Sequence, residues 1–320
     1  RMLRRMLVAD VGTTFTKASL VELRKGVWQL VEQTSAPTTA EMPSADVMDG
    51  FRNAISKLQA LTNLQLLSKN QLVSPSNEQT GVDQFVVTSS AGGGLKILVA
   101  GLTEKITAES GYRAALGAGA VVSQVVTLNE TGTELRNLDR IKNAQYDLIL
   151  LTGGTDGGNI SDVLAIAEFV SLAAPKNRSG KTSKIPLIYA GNIHARPYVE
   201  KIIGDAMKIT WVENIRPTVE TEVLEPVRHV IHDFFLEHTK SSVPGFDALA
   251  SLAANNVEPT PIAIGKALST MALSKNSDVL GVDVGGATTD VFSVIGGKFY
   301  RSVLANVGMS HGIHMQVAAL

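Results

Sequence analysis

Two glycine-rich segments of this chain have residue types and spacings suited to binding phosphate. Hairpin 1 reads LVADVGTTFTKASLVE over residues 7–22, and hairpin 2 reads LGVDVGGATTDVFSV over residues 280–294. In each, an apolar strand runs into a glycine turn that is followed by threonines and then by a second strand. Glycine lets backbone N–H groups approach an anion closely, and threonine hydroxyls supply further donors. Each segment is therefore a candidate phosphate-binding hairpin.

An aspartate stands at the end of the apolar strand in both hairpins. Asp10 and Asp283 each precede the glycine turn by two residues. A carboxylate in this position can hold a hydrated magnesium ion or orient a water molecule beside a phosphate. Turns that contain glycine and threonine also occur for purely structural reasons. Two copies of one design in a single chain favour a shared phosphate site over that simpler interpretation.

A third glycine-rich segment reads LILLTGGTDGGN over residues 148–159, where the glycines from Gly153 onward follow an apolar strand and precede a predicted helix. This arrangement is suited to binding an anion at the start of the helix. The alternative is that the glycines only permit a tight crossing from strand to helix, and both interpretations stay open. The spacing is not G-x-G-x-x-G, so a dinucleotide site is disfavoured.

The two hairpins resemble the phosphate motifs of a known superfamily. DVGTTFTK at residues 10–17 resembles the first phosphate motif of the actin, sugar-kinase and heat-shock-chaperone ATPases, and DVGGATTD at residues 283–290 resembles the second. The Walker pattern G-x-x-x-x-G-K-[ST] is absent from the sequence. The resemblance implies an α/β protein with actin-like ATPase (ribonuclease H-like) domains, in which two similar domains hold ATP and magnesium in a cleft.

The same resemblance assigns roles to individual residues. It implies that Asp10 and Asp283 are both the magnesium-binding and the catalytic residues, and that they orient water. It implies that the two turns bind the nucleotide phosphates from opposite sides, with Lys17 adding positive charge. The nucleotide-binding residues implied in this way are Gly12, Thr13, Thr14, Lys17, Gly285, Gly286, Thr288 and Thr289.

Together with the segment at residues 148–159, the hairpins most closely resemble the MutL (GlmL) accessory family of glutamate mutase, which is unrelated to the mismatch-repair proteins of the same name. This resemblance implies a chaperone-like reactivating factor that binds and hydrolyses ATP. Its cofactors would be ATP or ADP and magnesium, and its protein partner an adenosylcobalamin-dependent mutase. A cobalamin-binding pattern D-x-H-x-x-G is absent, so we expect the chain to act on a cobalamin enzyme and not to carry cobalamin itself.

Two other functions are compatible with the same residues. A small-molecule kinase of the sugar-kinase type would use an aspartate to deprotonate a substrate hydroxyl instead of water. A nucleotide-binding scaffold would bind ATP without hydrolysing it. Only the family resemblance favours the ATPase over the kinase.

The hydrophobic patterns predict how the chain is organised around these sites. Residues 1–102 are predicted to form the first actin-like domain, and residues 103–215, where helices and strands alternate, an inserted doubly wound α/β unit. Residues 216–277 are predicted to be a helical connection. Residues 278–320 are predicted to begin a second actin-like domain.

Strands and helices follow from the same patterns. The predicted strands cover residues 7–11, 15–23, 27–34, 84–89, 95–102, 121–128, 146–152, 185–190, 208–212 and 298–304. The predicted helices cover residues 46–61, 104–116, 133–142, 160–172, 197–206, 219–237, 244–254 and 261–271, and a turn is predicted at residues 306–312.

We expect the second domain to be incomplete. In the superfamily this domain continues past its phosphate hairpin through a glycine-containing adenosine motif, whereas 30 residues follow Asp290 in this sequence. The adenine-binding residues would then lie beyond residue 320.

The amino-acid composition excludes several classes of binding partner and of site. The chain has 320 residues, 44% of them hydrophobic and 18% charged, with 29 basic and 30 acidic side chains. This balance gives no general attraction to nucleic acid or to an anionic membrane. The absence of cysteine excludes disulfides, thiolate metal sites and cysteine nucleophiles. We expect a soluble, cytoplasmic protein, and the sequence does not indicate an oligomeric state.

Overall fold

A computed structural model describes residues 4–69, 71–128, 134–173, 175–178, 184–255, 257–305 and 307–309. The chain divides into two compact units. Unit 1 combines Arg1–Gly93 with Leu236–Leu320, and unit 2 is Gly94–Phe235. Both candidate phosphate-binding hairpins therefore belong to unit 1, and the glycine-rich segment at residues 148–159 belongs to unit 2.

The elements closely follow the sequence prediction. The strands are β1 (Arg5–Val11), β2 (Phe15–Arg24), β3 (Val27–Pro37), β4 (Leu67–Ser68), β5 (Gln71–Leu72), β6 (Gln84–Ser89), β7 (Lys96–Gly101), β8 (Val121–Thr127), β9 (Gln145–Tyr146), β10 (Leu148–Leu151), β11 (Lys176–Asn177), β12 (Ile185–Tyr189), β13 (Met207–Trp211), β14 (Glu258–Pro259), β15 (Val279–Val284), β16 (Thr288–Ile295) and β17 (Lys298–Ala305). The helices are α1 (Val47–Thr62), α2 (Glu109–Gly117), α3 (Glu134–Asn143), α4 (Ser161–Ala173), α5 (Arg196–Ile203), α6 (Glu225–Ser242), α7 (Phe246–Leu252) and α8 (Thr260–Lys275). Single turns of helix lie at Ala91–Gly93, Glu104–Ala108 and Ile193–Ala195.

The main sheet of unit 1 has the strand order β14-β6-β1-β2-β3. Strands β1, β2 and β3 form an antiparallel meander, and β6 and β14 extend it with parallel pairing on the other side of β1. Leu7, Ala9 and Val11 alternate along β1 and are fully buried. A meander extended by parallel strands is the arrangement expected of an actin-like domain, so the predicted α/β class and actin-like fold are confirmed.

Helix α1 covers the buried face of this sheet. Its apolar residues recur at helical spacing, and Phe51, Ile55 and Leu58 are fully buried in the same core as β1. The Phe51 ring lies 5.3 Å from the Phe85 ring of β6, centroid to centroid. Asp46 caps the helix by accepting a hydrogen bond from the Met48 backbone N–H at 2.9 Å. The cap and the buried stripe together fix the position of α1 on the sheet.

A second meander lies in the later part of unit 1. Strands β15, β16 and β17 pair antiparallel in that order and place hairpin 2 at the β15–β16 turn. One face of this sheet packs on α8. A Cβ atom on Gly281 of β15 would lie 2.8 Å from Cδ1 of Leu268, and one on Gly265 of α8 would lie 2.7 Å from the Phe299 ring. The close packing of α8 against this sheet therefore depends on glycine at both positions.

Unit 2 is a doubly wound α/β unit, as the sequence predicts. Its main sheet has the order β13-β12-β10-β7-β8, and neighbouring strands pair in parallel. Strand β10 is buried on both faces along Leu148–Leu151, which explains its continuous apolar sequence. Numbered within the sheet, the strand order is 2-1-3-4-5, one of the common doubly wound orders. Within the described residues, no helix combines the length and the apolar character needed to span a bilayer.

The compact units and the predicted domain boundaries differ at β7. The prediction ends the first domain at residue 102, but β7 pairs with β8 and β10 and belongs to unit 2. The chain leaves unit 1 through three consecutive glycines, Gly92–Gly94, whose φ angles are 80°, 74° and 74°. These left-handed conformations favour glycine. The scheme of two actin-like domains with an insertion remains a proposal.

The predicted helical connection at residues 216–277 also contains a strand and a longer non-helical start. Helix α6 begins at Glu225, whereas the prediction began it at Val219. Pro226 lacks a backbone N–H and is tolerated in the first turn of a helix, not in its interior, so the helix starts beside it. Strand β14 pairs with β6 in the same predicted connection. The turn predicted at residues 306–312 falls largely outside the described residues.

The cap of α1 provides a test of the fold of unit 1. Asp46→Ala is expected to reduce the free energy of unfolding by about 1 kcal/mol, because the Met48 N–H loses its acceptor. Asp46→Asn keeps a side-chain oxygen in place, so its free energy of unfolding should fall by clearly less. Urea unfolding monitored by circular dichroism measures both, and equal losses in the two variants would contradict the capping role.

Candidate functional site

Hairpin 1 closes through a tight backbone hydrogen bond. The Gly12 N–H donates to the Phe15 carbonyl at 3.0 Å, at the junction between β1 and β2. A Cβ atom on Gly12 would lie 2.9 Å from that same carbonyl oxygen, so the turn requires glycine. Thr13 is exposed and Thr14 half-buried at its tip. The predicted phosphate-binding residues of hairpin 1 thus lie at one turn.

Hairpin 2 closes in the same way. The Gly285 N–H donates to the Thr288 carbonyl at 2.9 Å, which matches the Gly12 bond of hairpin 1. The hydroxyls of the two predicted threonines donate within the chain, from Thr288 to Asp290 at 3.1 Å and from Thr289 to the Val307 carbonyl at 2.7 Å. Phosphate contacts from these two hydroxyls would require them to rotate away from their present acceptors.

The turns of the two hairpins meet within unit 1. A Cβ atom on Gly286 would lie 2.2 Å from Oγ1 of Thr14 and 3.1 Å from Oγ1 of Thr13. Two turns that are 273 residues apart in the sequence are therefore in direct contact, and only glycine fits at the point of closest approach. The sequence prediction that the two segments form one site agrees with this contact, and the role of each residue stays a prediction.

Asp10 is held by two hydroxyl groups that sequence reasoning missed. Its Oδ1 atom accepts a hydrogen bond from Thr88 at 2.8 Å and one from Thr260 at 2.7 Å. Thr88 pairs with Asp10 across β1 and β6, and Glu258 of β14 is the next residue in the same row. The sequence signal for Thr260 was the run Glu258–Pro261, in which proline follows a threonine at the start of a predicted helix.

The carboxylates of hairpin 2 have contrasting surroundings. Asp290 is buried and bonded to Arg301, from Nε at 2.7 Å and from Nη2 at 2.6 Å. Asp283 accepts no hydrogen bond from the described residues. Burial raises the pKa of Asp283, and the carboxylates of Asp290 and Asp10 raise it further, whereas the cations Lys17 and Arg301 act in the opposite direction. The structure thus brings both predicted aspartates and Lys17 into one electrostatic environment.

This charge arrangement suits a divalent cation. Among the described residues, no three histidine or acidic side chains are close enough to coordinate a metal ion directly. Magnesium in nucleotide sites is held through one or two carboxylates, several waters and phosphate oxygens. The half-buried carboxylate of Asp283 lies near Asp10 and accepts no hydrogen bond within the described part of the chain. These two residues therefore fit a hydrated magnesium ion shared with phosphate, and not a site built from protein ligands alone.

The glycine-rich segment of unit 2 is braced by buried asparagines. Asn192 donates to the Gly158 carbonyl at 3.2 Å. Asn214 donates to the Gly154 carbonyl at 2.9 Å and to Asp156 at 2.8 Å. These bonds fasten the loop after β10 to the ends of β12 and β13. They account for a structural role, and binding of an anion there stays a prediction.

Comparison with known proteins identifies relatives along most of the chain. A family model described as MutL protein matches residues 6–318. The Protein MutL of Clostridium tetanomorphum is 33% identical over 301 residues, which cover 91% of this chain and 58% of that protein. The chain therefore spans less than two thirds of the length of this relative.

Similarity to solved structures is more distant. The Aquifex aeolicus member of the Ppx/GppA protein family aligns over 96% of this chain and 52% of its own, with 9% identity and a TM-score of 0.25. A diol dehydratase-reactivating factor in its nucleotide-free form aligns over 99% of this chain and 63% of its own, with 11% identity and a TM-score of 0.20. The fold assignment rests on the strand order of the chain itself.

The contact between the two turns can be tested by a double-mutant cycle. Gly286→Ala should destabilise unit 1 by about 1–3 kcal/mol, because the new Cβ overlaps the Thr14 hydroxyl. Thr14→Ala removes that hydroxyl, so the double variant should lose less than the sum of the single losses, by at least about 0.5 kcal/mol. Urea unfolding of the four proteins measures the difference, and strict additivity would contradict the contact.

The environment of Asp283 predicts a pH dependence. A raised pKa in the folded state means that the native protein binds more protons than the unfolded chain above the ordinary value of 3.8. The contribution of Asp283 to wild-type stability should therefore fall as pH rises from that value through the raised one, and Asp283→Asn should escape this loss. Without added magnesium, the stability advantage of Asp283→Asn should grow with pH and then level off. An advantage that is constant between about pH 4 and pH 8 would contradict the assignment.

Proposed function

The chain belongs to the MutL protein family, and from this membership we propose that it contributes the nucleotide site of an ATP-hydrolysing accessory protein. The accessory protein would act as a chaperone-like reactivating factor for an adenosylcobalamin-dependent mutase such as glutamate mutase. The observation that carries the nucleotide site is the contact of Gly286 with Thr13 and Thr14. The identity of the partner rests on the family.

The two turns would bind the outer phosphates of ATP or ADP from opposite sides. Each turn has a glycine that closes a short loop of backbone, and the two loops meet at Gly286. A polyphosphate lying at this junction would reach backbone and hydroxyl donors of both hairpins at once. Lys17 pairs with Asp10 across β1 and β2 and is exposed, so it can add positive charge beside the phosphates.

Asp10 and Asp283 would hold magnesium through its water shell. When bound, the cation neutralises charge on the phosphates and so favours attack by water. Asp283 is the better candidate for orienting that water, because it accepts no hydrogen bond from the described residues and its pKa is raised above the ordinary value. Asp10 is held by two hydroxyls and suits a fixed ligand. Asp290 is paired with Arg301 and would stay structural.

Nucleotide binding at this junction would act on the separation of the hairpins. ATP and ADP differ in the outer phosphate, which would reach both turns, so they would favour different separations. A partner protein that binds one of the two conformations more tightly would then bind more or less strongly according to the nucleotide. ATP hydrolysis would in this way alternate the accessory protein between states that bind and release the mutase.

Substitution of the aspartates tests the nucleotide site. Asp10→Asn and Asp283→Asn should each reduce phosphate release from ATP by at least about 100-fold, because each removes a charged group that acts on the cation or the attacking water. The measurement uses the protein as it occurs in its host, with and without an adenosylcobalamin-dependent mutase. Asp247→Asn, on the exposed surface of α7, is the matched control and should retain the wild-type rate.

Three outcomes would contradict this function. Equal rates in wild type and both variants would remove the site assignment. Transfer of the γ-phosphate to an added sugar or carboxylate, instead of release as inorganic phosphate, would indicate a small-molecule kinase. Thermal stabilisation by ATP with no phosphate release under any condition would indicate a nucleotide-binding scaffold.

A further inference from the structure

The carboxylate of Asp10 is fixed by hydroxyl groups from two separate elements. Thr88 of β6 and Thr260 of α8 both donate to its Oδ1 atom, at 2.8 Å and 2.7 Å. Oδ2 accepts no hydrogen bond from the described residues. Oδ1 thus accepts both hydrogen bonds from the described residues, and the lone pairs of Oδ2 stay available for another partner. Without such partners, an aspartate at a strand end can turn about its last side-chain bond and present either oxygen.

We propose that Thr88 and Thr260 are positioning residues that orient Asp10 toward the cation of the bound nucleotide. This inference rests on the nucleotide site proposed above and deepens it. Two hydrogen bonds to a carboxylate, approaching from different elements, leave one orientation of the group. Oδ2 is then the oxygen available to a hydrated magnesium ion. Groups in this outer layer commonly set how well the inner ligand binds metal.

The two threonines differ in what they connect to Asp10. Thr88 lies on the neighbouring strand of the same sheet, in register with Asp10. Thr260 is the first residue of α8. Further along α8, Leu268 and Gly265 pack against the sheet that contains hairpin 2. The Thr260 hydrogen bond therefore connects the aspartate of hairpin 1 to the helix on which hairpin 2 rests. A displacement of hairpin 2 together with α8 would stretch this bond while leaving the Thr88 bond unchanged.

Magnesium dependence of nucleotide binding tests the proposal without relying on turnover. Thr260→Val removes the hydroxyl at nearly constant volume, and we expect about 10-fold more magnesium to be needed to tighten ADP binding, measured by isothermal titration calorimetry. ADP affinity without magnesium should stay within about 2-fold, because Thr260 acts through Asp10. Thr260→Ser keeps a hydroxyl and should restore the wild-type magnesium requirement. Thr88→Val should likewise raise the magnesium concentration that is needed.

Thr270→Val is the matched control on the same helix. The Thr270 hydroxyl donates to the Lys266 carbonyl at 2.8 Å, so this variant loses a hydroxyl of α8 that does not reach Asp10. It should leave the magnesium requirement unchanged. Thermal unfolding of each variant identifies any that fail to fold. If Thr260→Val fails to fold, Thr88→Val is used for the test instead.

The outcomes separate this inference from the proposed function. If Asp10→Asn abolishes the effect of magnesium while Thr260→Val and Thr88→Val leave it at the wild-type level, the positioning role is overturned and the nucleotide site stands. Equal loss in Thr260→Val and Thr260→Ser would also overturn it, since the hydroxyl would not be the cause. If Asp10→Asn itself leaves the magnesium effect unchanged, the proposed role of Asp10 fails, and the positioning inference fails with it.

Discussion

The contact between the two hairpin turns depends on the absence of a side chain at one position. Any Cβ atom at Gly286 would overlap the hydroxyl of Thr14, so the turns of two distant segments can touch only because glycine stands there. The backbone at Gly286 does not need the left-handed conformation that usually explains a glycine. Close approach is therefore the physical reason for this residue. The proximity of Asp10 to Asp283, which lie on different hairpins, is consistent with that approach.

Bringing the turns together also brings negative charge together, and the protein treats each carboxylate differently. Asp290 is compensated by the Arg301 guanidinium, and Asp10 by two hydroxyl donors. Asp283 has neither kind of partner among the residues that the structure describes, and its pKa is raised by burial and by the neighbouring carboxylates. A partly buried carboxylate that lacks a partner lowers stability unless something else compensates its charge. In the proposed function, a cation that arrives with the nucleotide would supply this compensation.

Much of this arrangement follows from local sequence, and the rest depends on contacts that local sequence does not encode. The hairpins and their strands were predicted correctly, because alternation in β1 and glycine at the turns act over a few residues. Thr88 and Thr260 were missed because their contact with Asp10 requires knowing that β6 and the start of α8 lie beside β1. The compact unit 2 begins ahead of β7, and the sequence alone could not indicate this, since an apolar strand does not specify which sheet it joins. The three glycines at residues 92–94 are the local sequence feature that marks the passage from unit 1 to unit 2.

The two hairpins share a backbone design but differ in the residue that faces each aspartate across the strands. Asp10 pairs with Lys17, whereas Asp283 pairs with Asp290. Hairpin 1 thus contains a nearby positive charge, while hairpin 2 places two acids side by side and relies on Arg301 from β17 to offset one of them. A single substitution of the cross-strand residue is enough to change the electrostatic character of a repeated motif. The internal repeat therefore yields two hairpins of one backbone design and unequal charge, with a lysine opposite Asp10 and a second acid opposite Asp283.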